Sequence, residues 1–257
     1  GKLPLKTTLA PAIDLARRGF EVEDHYRALA GYRKDVLNRY PTAASVFLDQ
    51  GEIPASGTVI RQPDLARVLE ALAEQGRDGF YQGPVAEKLV RGVRDAGGIW
   101  TKQDLNNYRV KERAPVVGHY RGARIVSAPP PSAGGIVMLE ALKILSEFNG
   151  GEISEDLLPH LTVEAWRRAY QDRGRYMGDP DFVSIPVDNL LSKSYAEQRA
   201  ASIKLDKATP SSELGEPVAT GEGFHTTHFS VLDGEGNRVA ATLSINLPFG
   251  SGFMPAG

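Results

Sequence analysis

The most informative part of the sequence is TTHFSVL at residues 226–232, followed by DGEGN at 233–237 and RVAATLSI at 238–245. The first and last of these runs are rich in β-branched and aromatic residues, which favour strands. The Asp, Gly and Asn residues between them favour tight turns. We therefore predict a β-hairpin with strands from Thr227 to Leu232 and from Arg238 to Ile245.

The preceding sequence is mainly helical in pattern, because apolar residues recur three and four positions apart. Thr101 and Asp104 have the spacing of a capping box at the start of a short helix. A short strand is predicted at 45–48 and a hairpin at 114–128. Trp100 and Trp166 are expected to be core residues. The longer helices are predicted at 5–18, 24–40, 63–75, 84–96, from Gly134 onward, and at about 162–176. Helices followed by a hairpin indicate an α+β protein.

A change in composition separates the helices from the final hairpin. From about residue 202 to residue 225 the chain is polar and rich in Ser, Pro, Gly and Thr. Such a segment is typical of an exposed connection between structured parts. We predict a mobile linker here, which enters the first hairpin strand at Thr226.

Composition excludes several classes of function. The 257 residues carry a net charge of −2, which gives no electrostatic argument for binding nucleic acid or an anionic membrane. No apolar run reaches the length of a transmembrane helix. The chain has no Cys, so disulfides, thiol nucleophiles and cysteine metal sites are excluded. His25, His119 and His160 are scattered, and we expect neither a metal nor a cofactor. The chain has no initiator Met, and we expect it to be a piece of a longer protein.

Thr226 is a candidate nucleophile because of its position between the linker and the strand. If its hydroxyl attacked the His225 carbonyl, the bond between them would break and Thr226 would become a new N-terminus. A threonine next to its own free α-amine is a known activated nucleophile. By local pattern alone, however, a Thr-Thr pair at this point is more often an ordinary strand start.

Several motifs in combination resemble the γ-glutamyltranspeptidase family. The hairpin motifs TTHFSV, DGxGN, TLSIN and FG resemble the beginning of the family's small subunit. Motifs earlier in the chain resemble the family's large subunit, among them GKLP at 1–4, YRG at 120–122, PPPSxGG at 129–135 and GDPDF at 178–182. The resemblance implies an N-terminal-nucleophile hydrolase, an αββα sandwich that is incomplete in this chain. It also implies a large-subunit portion at residues 1–225 and the start of the small subunit at 226–257.

The resemblance also assigns roles to individual residues. It makes Thr226 the nucleophile and the bond between His225 and Thr226 the site of autocleavage. Ser244 corresponds to a hydroxyl that hydrogen-bonds the nucleophile, and Asn246 to a residue that holds the substrate's α-amino group. Alternatively, the Ser244 hydroxyl is that of an ordinary strand residue, and Asn246 is a turn residue that follows the strand. Strand alternation over two residues would direct Ser244 and Asn246 to one face. His228 is expected to be a structural neighbour.

The implied reaction is γ-glutamyl transfer or hydrolysis through a threonine ester. The donor would be glutathione or a related γ-glutamyl compound, and the acceptor water, an amino acid or a peptide. The large and small subunits would come from one precursor, located in the periplasm or secreted. The family's carboxylate-binding arginine precedes Gly1, and its oxyanion hole follows Gly257. The alternatives are a glutaryl or cephalosporin acylase of the same fold, and an inactive, unprocessed fragment.

Overall fold

The computed structural model describes residues 2–148, 154, 156–215 and 226–255. The chain divides into two compact units. The first comprises Gly1–Val110 together with Glu222–Gly257, and the second comprises Lys111–Gly221. Each unit is described by itself below.

The N-terminal part of the first unit is helical. Its helices are α1 (Leu5–Arg18), α2 (Asp24–Asn38), α3 (Pro41–Phe47), α4 (Pro63–Gln75), α5 (Asp78–Tyr81), α6 (Gly83–Asp95) and α7 (Lys102–Asn107). Two short strands, β1 (Phe20–Glu21) and β2 (Val59–Ile60), pair antiparallel. The capping box is confirmed, since the Thr101 hydroxyl accepts the Asp104 amide at 3.2 Å and the Asp104 carboxylate accepts the Thr101 amide at 2.8 Å. The structure also contains the helices predicted at 5–18, 24–40, 63–75 and 84–96, with ends shifted by at most two residues.

The strand predicted at 45–48 is wrong, because residues 45–47 belong to α3. Pro41 occupies the first turn of this helix, where a missing amide hydrogen costs nothing. Ala43 points into a cluster with Leu37 and Leu48. A short apolar run such as Val46-Phe47-Leu48 has no period that distinguishes a strand from a buried helical turn, and here the packing of Ala43 decides for the helix.

The second unit packs helices on a small hairpin. The hairpin consists of β3 (Val116–Tyr120) and β4 (Ala123–Ser127), as predicted. Its turn residues Arg121 and Gly122 both have positive φ, as tight hairpin turns require. The helices are α8 (Gly134–Ser146), α9 (Leu158–Tyr176), α10 (Val187–Leu190), α11 (Lys193–Ala201) and α12 (Ser211–Leu214). α9 begins four residues before the predicted start, with Pro159 in its first turn.

The core of the second unit lies between α8, α9 and α11. Its buried apolar residues include Val137, Ile144, Leu161, Ala165 and Ala169. α8 also lies close to β3, since a Cβ atom on Gly118 would be 2.5 Å from Leu139 Cδ2. Glycine at 118 therefore permits the close approach of strand and helix.

The C-terminal hairpin of the first unit has the predicted form. It consists of β5 (Thr226–Leu232) and β6 (Arg238–Ser244), paired antiparallel from Thr226 opposite Ser244 to Leu232 opposite Arg238. The Asp233 carboxylate closes the turn by accepting the amides of Glu235 and Asn237, each at 2.9 Å. Within the described residues, the six strands pair only in twos. The chain is therefore a mixture of helix and sheet, in agreement with the α+β prediction.

Two sequence predictions need correction. Part of the predicted linker is held in place, because Ile203 and Thr209 are buried and 211–214 form α12. Residues 216–225 of that linker lie outside the described residues. Trp100 and Trp166 are not core residues, since they are 45% and 37% exposed. Among the helices described, none is both long enough and apolar enough to cross a bilayer.

Candidate active site

The candidate site is at the open end of the C-terminal hairpin. The backbone of Thr226 forms the first pair of the ladder, directly opposite Ser244. The predicted cleavage partner His225 lies outside the described residues. The hairpin therefore brings together two of the residues that the sequence singled out, at the position where the linker enters the strand.

Asn246 is positioned by a turn rather than by a strand. β6 ends at Ser244, and the Ser244 hydroxyl accepts the backbone amide of Asn246 at 3.0 Å. Asn246 has a φ of 70°, in the left-handed region, which Asn tolerates better than most residues. Strand alternation therefore does not extend to Asn246, and the argument that alternation directs it to the same face as Ser244 is wrong. The catalytic and binding roles of Thr226, Ser244 and Asn246 stay predictions.

The residues after Asn246 pack on the N-terminal helices of the same unit. The Phe249 ring contacts Tyr26 and Phe47 edge-on, with ring centroids 5.7 and 5.2 Å apart. The Tyr26 hydroxyl donates a hydrogen bond to the Phe47 carbonyl at 2.7 Å, and burial raises the pKa of Tyr26 to about 12. Tyr26 therefore stays a neutral donor at physiological pH, and the aromatic cluster carries no titrating charge.

Sequence reasoning missed Arg33, a half-buried residue of α2. Its Nε donates to the Pro248 carbonyl at 3.2 Å, and one Nη donates to the Gly250 carbonyl at 2.9 Å. The partners are backbone atoms more than 200 residues away in the sequence. No local motif could have indicated this contact, because a backbone carbonyl leaves no signature in residue type.

His228 lies two register pairs further along the hairpin than Thr226, opposite Thr242. Its Nδ1 is 2.7 Å from the Thr242 hydroxyl, and its Nε2 is 3.4 Å from that of Ser230. Both ring nitrogens thus have a partner on the hairpin itself. The expectation that His228 is a structural neighbour of the site stays a prediction.

The proline-rich loop at 129–135 belongs to the second unit. It connects β4 to α8, and a Cβ atom on Gly135 would be 2.8 Å from the Ala128 carbonyl oxygen. Glycine at 135 thus allows a tight strand-to-helix connection. Over the part of the chain that the structure describes, no three His, Asp or Glu side chains converge as metal ligands would.

Comparison with known proteins identifies the family. The family model described as "Gamma-glutamyltranspeptidase" matches residues 1–257. A glutathione hydrolase proenzyme of Escherichia coli is 41% identical over 99% of this chain and 44% of its own length. The chain belongs to the γ-glutamyltranspeptidase family. It spans less than half the length of the curated relatives it matches.

Solved structures agree with this assignment. The γ-glutamyltranspeptidase of Helicobacter pylori superimposes with a TM-score of 0.78 and 37% identity, over 83% of this chain and 62% of the other. A cephalosporin acylase of Bacillus halodurans superimposes with a TM-score of 0.79 and 32% identity, over 98% of this chain and 46% of the other. The fold is therefore shared by enzymes whose names indicate different acyl substrates.

Proposed function

We propose that the protein containing this chain is a γ-glutamyl hydrolase and transferase that cleaves itself between His225 and Thr226. The observation that carries the proposal is the pairing of Thr226 with Ser244 at the start of the hairpin, in a chain that belongs to this family. The names of relatives such as the E. coli glutathione hydrolase proenzyme support glutathione as a donor and a precursor that is processed.

In the proposed mechanism, the free α-amine of cleaved Thr226 acts as the base. An α-amine titrates near pH 7.7–8.0 when unperturbed, so about half is unprotonated slightly above neutral pH. It takes the proton from the Thr226 hydroxyl as the oxygen attacks the γ-carbonyl of the donor. The amide bond breaks, the proton passes to the leaving amine, and a γ-glutamyl ester remains. Water or an acceptor amine then attacks the ester and releases Thr226.

Ser244 and Asn246 have supporting roles in this proposal. The Ser244 hydroxyl hydrogen-bonds the nucleophile's oxygen, and the Asn246 side chain accepts a hydrogen bond from the donor's α-ammonium group. Both roles rest on the resemblance, with support from the hydrogen bond between the Ser244 hydroxyl and the Asn246 amide. Because this contact joins the two residues, a change at one is expected to affect the other.

The same proposal includes the architecture of the complete protein. In it, residues 1–225 form most of a large subunit, residues 226–257 begin a small subunit, and further strands complete an αββα sandwich around β5 and β6. Exposed apolar side chains on both strands, among them Phe229, Val231 and Leu243, support further packing on this hairpin. Export to the periplasm or the medium is part of the proposal and rests on the resemblance alone.

Mass spectrometry of the purified full-length protein tests the proposal. We expect two fragments, the second beginning at Thr226, and a single chain for Thr226→Ala. Thr227→Ala is the matched control, because Thr227 is the next residue of the same strand and pairs with Leu243. This control should still be cleaved. A wild-type protein that remains one chain would instead favour the inactive fragment.

A glutaryl or cephalosporin acylase is the second candidate, favoured by the similarity to the B. halodurans acylase. The two candidates differ in the substrate's α-amino group, which glutaryl compounds lack. If Asn246 binds this group, Asn246→Ala should raise KM for a γ-glutamyl anilide far more than for a glutaryl anilide. An equal change in KM for both substrates would show that Asn246 does not bind the α-amino group.

A further inference from the structure

The backbone that carries Asn246 follows an unusual path after β6. Asn246 and Phe249 both have positive φ, at 70° and 59°, and Gly250 follows at 56°. Asn tolerates the left-handed region, but a bulky residue such as Phe rarely adopts it. Such a conformation persists only where surrounding structure holds it. The segment 246–250 therefore depends on contacts from outside itself.

Two kinds of contact hold the segment from the helices of the same unit. The Phe249 ring packs against Tyr26 and Phe47. The Arg33 guanidinium donates to two carbonyls, those of Pro248 and Gly250, on either side of Phe249. The aromatic contacts bury the side chain, whereas the guanidinium holds the backbone itself. Since a guanidinium group presents its donors in a rigid fork, it fixes both carbonyls together.

We propose that Arg33 is a positioning residue for substrate binding, which acts by fixing the segment 246–250 and with it the side chain of Asn246. Only Leu247 separates Asn246 from Pro248, whose carbonyl accepts from Arg33. On the other side, the Ser244 hydroxyl accepts the Asn246 amide at 3.0 Å. Asn246 is thus held between a contact from the strand end and a contact from α2. The inference rests on the proposed role of Asn246 in γ-glutamyl recognition.

The position of Arg33 in the sequence gives this contact a second consequence. Arg33 precedes the proposed cleavage point between His225 and Thr226, and its two acceptors follow it. After cleavage, the contact joins two separate chains. One subunit therefore shapes the substrate-binding segment of the other without a covalent connection.

Kinetics of full-length Arg33→Met with a γ-glutamyl anilide test the inference. Loss of a charged donor to two carbonyls should raise KM about tenfold, with kcat changed by less than about threefold. Arg33→Lys, which keeps the charge but loses the fork, should fall between the wild type and Arg33→Met. Hydrogen–deuterium exchange should show faster exchange of the amides at 249–252 in Arg33→Met.

Arg27→Met is the matched control. Arg27 is on the same helix and also donates to a backbone carbonyl, that of Pro54, away from the segment 246–250. It should leave KM and the exchange of 249–252 at wild-type values. If Arg33→Met matches this control in both measurements, Arg33 has no positioning role. If the wild type does not act on the γ-glutamyl anilide, the proposed function fails, and the exchange measurement alone decides whether Arg33 holds the segment.

Discussion

Ser244 accepts the backbone amide of Asn246 at 3.0 Å and is itself the register partner of Thr226. Ser244 thus lies opposite the proposed nucleophile in the ladder, and its hydroxyl holds the backbone of the proposed amine-binding residue. Ser244→Ala should therefore lower kcat and raise KM, with kcat/KM reduced by about 10- to 100-fold, as expected for a hydrogen bond worth up to about 3 kcal/mol. Steady-state kinetics with a γ-glutamyl anilide measure both changes.

Ser251→Ala provides the control for Ser244→Ala. The Ser251 hydroxyl also accepts the amide two residues ahead, that of Phe253, at 3.2 Å. Its loss should leave kcat/KM within about threefold of wild type, because its hydrogen bond does not involve Asn246. Ser244→Thr, which retains a hydroxyl, should stay near wild type. Similar losses for Ser244→Ala and Ser251→Ala would show that the Ser244 hydroxyl has no special role.

A buried carboxyl pair in the second unit predicts a loss of stability as the pH rises from about 4.5 to 9. Glu140 is 1% exposed and lies near Asp172, which accepts from the Tyr195 hydroxyl at 2.9 Å and pairs with Arg199 at 2.7 Å. Burial, reinforced by the neighbouring Asp172, raises the pKa of Glu140 to about 9. The folded state then binds more protons than the unfolded state from about pH 4.5 to 9, so stability falls as the pH rises through this range, by at most about 1.4 kcal/mol per pH unit.

Glu140→Gln should flatten this decline, because the amide keeps a hydrogen-bond donor but cannot ionise. The measurement is the free energy of unfolding by denaturant at several pH values between 5 and 9. Relative to wild type, the variant should gain stability steadily as the pH increases. Glu147→Gln changes an exposed residue just after α8 and should retain the wild-type slope. Parallel pH curves for wild type and Glu140→Gln would refute the prediction.

A second buried network predicts sensitivity to acid. The Glu164 carboxylate accepts from Arg168 and Arg167, each at 2.6 Å, and from the Thr209 amide at 3.1 Å. Burial opposes ionisation, but these hydrogen bonds outweigh it and lower the pKa of Glu164 to about 2. The resulting stability is complete above about pH 4.5 and is lost as the pH falls toward 2. Glu164→Gln leaves Arg168 buried with a weaker partner and should cost about 3–5 kcal/mol near neutral pH.

The measurement is again the free energy of unfolding, now from pH 7 to the lowest pH at which the protein folds. The difference between wild type and Glu164→Gln should shrink as the pH falls below about 4.5, since the wild-type carboxylate is then becoming protonated. The control is Glu213→Gln, which removes an exposed ion pair with Lys204 and should cost less than about 1 kcal/mol. A Glu164→Gln variant as stable as this control would show that the Glu164 carboxylate does not stabilise the fold as predicted.

Much of the local structure could be predicted from the sequence. The hairpin at 226–244 follows from alternating β-formers around an Asp-Gly-Asn turn, and the capping box at Thr101 follows from residues three positions apart. The candidate residues Thr226, Ser244 and Asn246 came from motifs within one short stretch. These features depend on interactions between near neighbours, which the order of residues determines directly.

Other features depend on packing between distant parts of the chain. The cluster of Leu37, Ala43 and Leu48 around the helix at 41–47 packs against Phe249 and Met254, about 200 residues further along the chain. The segment around Thr209 is ordered by Glu164, about 45 residues away. Contacts of these kinds join groups that are far apart in the sequence. The spacing of residues along the chain therefore does not reveal which groups are partners.

For the candidate site, the sequence by itself determined the family and which residues of the hairpin to consider. Only the tertiary structure decided how Asn246 is held. Strand β6 ends two residues before Asn246, so strand alternation does not orient its side chain. Asn246 instead lies in a left-handed turn, and Arg33 binds the backbone that follows it. The physical reason is that a backbone carbonyl can be bound by any donor that the fold brings near, and here that donor is more than 200 residues away.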